Sequence, residues 1–309
     1  MLPSSKIKEL VLAGAAAAAL MAAAPPAQAT TTIYVAVAAN FANPLNDIIG
    51  KFKTYALSTY GYDYDVTYTS GASGNLLSQI TGSCATTPTC ATTNPNAWGH
   101  YDLFLSADVS RPLTLYSTYP SLVSTWTTGA SPASANYLFE YAQGYLELYT
   151  NTGAWNVSSG LPSGWTTKGV GIAAPGSAPY GLAATQELWN AYTVTSTSAL
   201  VHSTYADIAS IYNAVVAGTE TFGYVAKSQI CSAGAVNVPS TRHQSISPSS
   251  TTYNAIIQDG VIIANTTART RTAGEETELR LFVAYLNNHT TSPPSDTVTT
   301  LLNYCYGVP

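Results

Sequence analysis

The most constraining feature of the sequence is a nearly continuous apolar run, residues 33–39 (Ile-Tyr-Val-Ala-Val-Ala-Ala), which ends at Asn40-Phe41 and leads into an amphipathic segment. A run apolar on both faces suits a strand buried between layers, as parallel strands are. After it, Asn43 stands where a cap belongs and Pro44 at a first helical position. Leu45, Ile48, Ile49, Phe52 and Ala56 then recur at spacings of three and four, which gives one apolar helix face. The pattern is repeated twice nearby. A strand at 64–69 turns at Ser70-Gly-Ala-Ser-Gly74 before Leu76, Leu77 and Ile80, and a short strand at 103–105 ends at Ser106-Ala-Asp108. In open α/β sheets ligands bind beyond the carboxyl ends of the strands, so these turns are the first places to look for a site. Each also has a plain structural reading: Asn40 as a turn residue, Ser73 as an N-cap, Asp108 as the cap of the next turn.

Residues 1–29 stand apart from this pattern. Lys6 and Lys8 make a small positive start, residues 10–24 are apolar, and Ala27-Gln-Ala29 is a small-x-small cleavage site, which together read as a secretory signal peptide. No later apolar run is long enough to span a bilayer. Without Lys6, Lys8 and Glu9, nine Lys or Arg face fifteen Asp or Glu, a formal charge of −6 on the remaining 280 residues. That length suffices for two lobes with separate cores. No basic cluster suits nucleic acid, and an anion site would have to work with dipoles and hydrogen bonds. Charged residues are only 9% of the chain. So sparse a surface changes little on protonation, which suits an acidic exterior, although composition does not establish one.

Cys84 and Cys90 have five residues between them in a Thr/Pro/Asn-rich loop, which in an oxidising compartment reads as a local disulfide. Spacing leaves open whether Cys231 pairs with Cys305. His100, His202, His243 and His289 lack metal-ligand spacing, so no metal is expected as a direct protein ligand.

Further along, residues 137–141 read as helical, 145–150 and 170–174 as strands, and 181–192 as a helix after the turn Pro175-Gly-Ser-Ala-Pro-Tyr-Gly181. Asp207 caps a helix over 208–216 with Ile208, Ile211, Tyr212 and Val215 inward. A short strand at 222–225 precedes 226–230, read as the start of a return crossing. Residues 253–264 form the returning strand, interrupted at Gln258-Asp-Gly260, and 275–287 a late helix with Leu279, Phe282, Val283 and Leu286 on one face. The expected division is a signal peptide at 1–29, lobe 1 at 30–108, lobe 2 at 109–229, and the return crossing with the rest of lobe 1 at 230–309.

The segments AVAANF (36–41), SGASGNLLSQI (70–80), YDLFLSAD (101–108), APGSAPYG (174–181) and FGYVAKSQ (222–229), with the strand–helix pair at 253–287, follow one order across nearly the whole chain after residue 29. In that order they resemble the periplasmic molybdate-binding proteins, the substrate-binding components of molybdate ABC transporters, in their AVAANF-type branch. The resemblance implies an α/β, type II periplasmic-binding-protein fold: two α/β lobes, two crossing strands, and a molybdate or tungstate ion in the cleft. It further implies a monomer without a cofactor or permanent membrane span, acting outside the cytoplasm and docking to a membrane permease. Carried over by position, it implies ligand contacts at Asn40, Ser73, Tyr180 and Ile208, the last through its backbone. A tyrosine often found in the Gly-x-Val-Tyr piece is replaced here by Ala226, which removes one hydroxyl and puts strict molybdate selectivity in doubt. Read without the resemblance, Tyr180 is a packing aromatic and Ile208 a core residue.

Three other readings compete. One is a binding protein for another small anion. A serine hydrolase could draw on Ser73 or Ser106 with His100 and Asp102 or Asp108, but there is no GxSxG elbow and the residues crowd one strand region. The tyrosine-rich surface could instead serve as a scaffold.

Overall fold

A computed structural model of the chain describes residues 31–82, 100–124, 138–265 and 269–309. The signal-peptide segment at 1–29 and the Cys84–Cys90 pair lie outside the described residues. The strands are β1 (Thr31–Ala38), β2 (Tyr64–Gly71), β3 (Leu103–Leu105), β4 (Leu138–Gly144), β5 (Leu146–Tyr149) and β6 (Val170–Ala173). They continue with β7 (Val201–Tyr205), β8 (Gly223–Ala226), β9 (Cys231–Ser232), β10 (Ala235–Val236), β11 (His243–Ile246) and β12 (Ile256–Ile262). The helices are α1 (Ala42–Tyr60), α2 (Ser73–Thr81), α3 (Ser110–Thr118), α4 (Pro179–Tyr192), α5 (Ile208–Val216), α6 (Ala273–Leu286) and α7 (Asp296–Asn303).

Two mixed five-stranded sheets form two α/β lobes, ordered β2-β1-β3-β12-β4 and β11-β5-β8-β6-β7. This is the type II periplasmic-binding-protein architecture expected from the sequence. β1 pairs in parallel with β2 and β3 and is almost wholly buried, as its unbroken apolar run requires. The α1 face packs Leu45, Ile48, Phe52 and Ala56 out of solvent entirely. Each of the larger side chains contributes about 1.5–3 kcal/mol by leaving water. α1 ends at Gly61, whose φ of 71° is the left-handed conformation that closes a helix. Capping is read correctly at α5, where Asp207 accepts from the Ser210 N–H at 2.8 Å.

Several expectations are corrected. Residues 138–144 are a strand, not a helix: Phe139 and Tyr141 point inward in strict alternation, and β4 pairs antiparallel with β12. α1 starts at Ala42, directly after a single 3-10 turn at Ala39–Phe41, so Asn43 is not its cap. Pro44 still fits, because the N–H it lacks would have had no intrahelical acceptor. α4 begins at Pro179, earlier than expected. β4 belongs to the first sheet and β11 to the second, so between sheets the chain passes at 144–146 and again between β11 and β12.

Near the crossings a disulfide joins Cys231 to Cys305 across 74 residues of sequence. Beside it, Gly307 pairs with Gln143 of β4, which lays the segment around residue 306 against the first crossing. Among the described residues, no helix is long and apolar enough to cross a membrane.

Candidate functional site

Between the lobes lies a small cavity whose walls include Ala39, Asn40, Ser73, Tyr180, Asp207 and Ile208. The structure therefore brings together all four positions singled out in the sequence. Its volume is about 10 Å3, room for about one water molecule, so its walls stand nearly in contact. No lysine, arginine or histidine lines it among the described residues.

Three helices begin at this cavity. Ser73 is the first residue of α2, Tyr180 the second of α4, and Ile208 the first of α5. N–H groups in a first turn have no intrahelical acceptor, and they carry the positive end of the helix dipole. Three such ends meeting at one small space can hold an anion without a formal positive charge. The carboxylate in the wall, Asp207, is turned to its own helix, where one oxygen accepts from both the N–H and the hydroxyl of Ser210.

Ser73 is not the cap expected of it. The N-cap of α2 is Ala72, which has no side chain to do the job, and the Ser73 hydroxyl oxygen instead accepts from the Ala107 N–H at 3.0 Å. That bond uses a lone pair and leaves the hydroxyl hydrogen to donate elsewhere. The serine is thus fixed by the turn after β3 and retains a donor.

Behind Asn40 the polar groups form one buried network. Asn40 Nδ2 donates to Gln258 Oε1 and to the Tyr306 hydroxyl, both at 2.9 Å. Gln258 Oε1 also accepts from the Tyr141 hydroxyl at 3.0 Å, and its Nε2 donates to the Tyr180 hydroxyl at 3.2 Å. The Tyr306 hydroxyl donates to the Asn40 carbonyl oxygen at 2.8 Å, and the Ser228 hydroxyl reaches the same oxygen at 3.3 Å. Asn40 Oδ1 is buried with no partner among the described residues. Burial pushes the phenols of Tyr141, Tyr180 and Tyr306 well above their usual range, so they remain neutral hydrogen-bonding groups.

The network spans both lobes: Asn40, Tyr141 and Gln258 stand on or beside first-sheet strands, Tyr180 and Ser228 beside second-sheet strands. Gly144, at the first crossing, makes room for it. A Cβ there would fall 2.0 Å from the Tyr180 hydroxyl and 2.5 Å from Gln258 Nε2.

The lobes also touch directly beside the cavity. The Gly74 N–H donates to the Ser177 carbonyl at 2.9 Å, and Arg111, ion-paired with Asp108, donates to the Gly176 carbonyl at 3.1 Å. Lys227 lies away from the cavity, over the Tyr145 ring. Ala226 is fully buried at the end of β8 and brings no hydroxyl; those around Asn40 come from Tyr180, Tyr306 and Ser228. The residue types of a hydrolase are engaged elsewhere, Asp102 by Arg269 and Arg271, and Ser106 by Asp108. Sequence reasoning missed Gln258 and Tyr306 as partners of Asn40. Only the polar break in the apolar 253–264 run hinted at the first.

Residues 33–292 match the family described as bacterial extracellular solute-binding protein. The chain belongs to that family. Among its relatives, the molybdate-binding protein ModA of Azotobacter vinelandii is 30% identical over 75% of this chain and 77% of its own length. ModA of Rhodobacter capsulatus is 32% identical over 64% of this chain, the match spanning 65% of that relative. In structure, this solute-binding protein superposes on the periplasmic molybdate-binding protein of Azotobacter vinelandii with a TM-score of 0.66. That match has 24% identity and covers 90% of this chain and 99% of the other. The same fold, at a TM-score of 0.52 and 11% identity, is shared with the periplasmic binding protein AfuA of Actinobacillus pleuropneumoniae, covering 88% of this chain and 86% of that one.

Proposed function

We propose that this protein captures a tetrahedral oxyanion, molybdate or tungstate, outside the cytoplasm and delivers it to the membrane permease of an ABC importer, without chemical turnover. The observation that carries the reading is the meeting of three helix N-termini and the Ser73 hydroxyl at a nearly closed interlobe cavity that, among the described residues, no lysine, arginine or histidine lines. Preformed donors set to one spacing favour an ion whose oxygens reach all of them, so ions smaller than molybdate, such as sulfate and phosphate, lose contacts. The relatives at 30% and 32% identity, both molybdate-binding proteins, favour the same ligand. In this reading Ser73 donates through its hydroxyl, Tyr180 and Ile208 through backbone N–H groups, and Asn40 completes the shell. The protein acts as a monomer.

Calorimetry at fixed pH and salt tests the reading. Molybdate and tungstate should bind more tightly than sulfate and phosphate. Ser73→Ala and Asn40→Ala should each cost about 1–3 kcal/mol, roughly five- to more than a hundred-fold in affinity, while circular dichroism shows an intact fold. Lys227→Ala should bind as the wild type does. No binding of either oxyanion by the wild type would overturn the function, and wild-type affinity in both folded alanine variants would overturn the residue assignment. Uptake by the reconstituted permease should require this protein at limiting oxyanion concentrations.

A further inference from the structure

An amide's oxygen and nitrogen fill nearly the same space, so hydrogen-bond partners decide which way it faces. As arranged, Asn40 turns its nitrogen to Gln258 and Tyr306 and leaves Oδ1 buried without a partner, in a residue only 4% exposed. An orphaned acceptor is costly anywhere in a protein interior. Beside a cavity ringed by donors it is also the wrong polarity for an anion.

A second arrangement fits the same heavy atoms. If the Asn40 and Gln258 amides reverse together, Gln258 Nε2 donates to Asn40 Oδ1 and to the Tyr141 oxygen. The Tyr141 hydroxyl turns its one hydrogen from Gln258 to the Ser106 carbonyl, 2.9 Å away. The Tyr180 hydroxyl, an acceptor from Gln258 in the first arrangement, donates to Gln258 Oε1 instead. The Tyr306 hydroxyl turns from the Asn40 carbonyl to donate to Asn40 Oδ1, at the 2.9 Å where it accepted from Nδ2, and the carbonyl keeps the Ser228 hydroxyl at 3.3 Å. The group left over is then Asn40 Nδ2, a donor, at the place of the orphaned oxygen. Neither amide can turn alone, because two oxygens or two nitrogens would meet at the 2.9 Å separating Asn40 and Gln258.

We propose that Gln258 is the positioning residue of the site: by reversing its amide together with that of Asn40, it turns a donor toward an oxyanion in the cavity. This rests on the oxyanion-binding reading above. Gln258 does not itself line the cavity; it acts through Asn40. It also holds the Tyr180 hydroxyl at the start of α4, so the same reversal is felt in both lobes.

The test is a double-mutant cycle read by calorimetry with sodium molybdate, using the wild type, Gln258→Met, Asn40→Ala and the double variant. Met keeps the length of Gln and removes both hydrogen-bonding groups. Gln258→Met should weaken binding by about tenfold, and in the Asn40→Ala background the same change should add less than about twofold. Wild-type affinity in Gln258→Met, or losses that multiply in the double variant, would overturn the proposal while leaving the oxyanion-binding reading intact. No molybdate or tungstate binding by the wild type would overturn both. A second measurement avoids variants altogether. In nitrogen-15-labelled wild type, saturating molybdate should shift the side-chain amide signals of Asn40 and Gln258 together, and an unmoved Gln258 signal beside a shifted Asn40 signal would reject the coupling.

Discussion

Replacing Glu278 by glutamine is expected to raise the melting temperature at pH 8 by roughly 5 °C or more and to leave it nearly unchanged at pH 4.5. Glu278 lies on α6, fully buried, with the Thr31 hydroxyl donating to Oε2 and Oε1 lacking a partner among the described residues. Burial pushes its carboxyl up from an ordinary 4.5 to about 8, and the nearby charge of Asp65 adds to the rise. Below pH 4.5 the folded and unfolded chains both hold the proton, so it costs nothing. Between 4.5 and 8 the unfolded chain releases the proton while the folded chain keeps it, and stability falls as pH rises. Above 8 the loss is complete, on the order of 5 kcal/mol at about 1.4 kcal/mol per unit.

Asp259 adds to the same slope, since burial and the charges of Glu140 and Asp108 push it up from 3.8 to about 6. Glu275 and Glu276 oppose it at the acid end. Burial disfavours their charge, but bonds from Thr272 and Arg269 at one and Arg271 at the other outweigh it and hold them below their usual range. Their contribution is present above pH 4.5 and is lost below it. The stability maximum should therefore fall between about pH 4.5 and 6. Melting curves of wild type and Glu278→Gln from pH 4 to 9 check this; parallel curves would remove Glu278 as the cause.

Gly144→Ala should abolish measurable oxyanion binding, a loss of more than about a hundredfold, and destabilise the fold by about 1–3 kcal/mol. The added carbon cannot be absorbed by a small shift. It falls 2.0 Å from the Tyr180 hydroxyl and 2.5 Å from Gln258 Nε2, and Tyr180 is itself only 1% exposed. Relief requires pushing the tyrosine outward, and its backbone begins α4 at the cavity wall. Gly50→Ala is the matched control. Nothing lies within 4 Å of a Cβ there, and the residue sits inside α1, so the change should stabilise by roughly 0.5–1 kcal/mol and leave affinity alone. Wild-type oxyanion affinity in Gly144→Ala would mean that the crossing tolerates displacement of Tyr180.

The elements legible in the sequence were those whose cause is local. α5 carries its cap at Asp207 and its apolar spacing in ten consecutive residues, and β1 declares itself by an unbroken apolar run. β4 reads as a helix because its period-two alternation, Phe139 and Tyr141 inward, is short and ends where Ala142 is buried next to Tyr141. β7 and β11 were not read as strands at all. They are short, largely polar, and defined by the neighbours they pair with.

The four positions that line the cavity are reached in the sequence only through ordered family pieces. Ile208 shows why composition alone was insufficient: its side chain is core, and its place at the cavity comes from being the first residue of a helix. The partners of Asn40 were out of reach for a different reason. Gln258 and Tyr306 stand 218 and 266 residues away in sequence and meet it only because β12 and the segment after α7 return to the first crossing.

That return has a consequence for biogenesis. The groups around the cavity occur in chain order at 40, 73, 180 and 208, then Gln258 behind them, and Tyr306 after all the others. A chain that becomes available from its N-terminus presents every strand of both sheets, residues 31–262, before residue 306. Until then the Asn40 carbonyl lacks its bond from the Tyr306 hydroxyl, and Cys231 has no Cys305 to join. A chain cut short of residue 306 would thus carry the walls of the cavity without this brace, and the last part of the network in chain order is the one that holds its first residue in place.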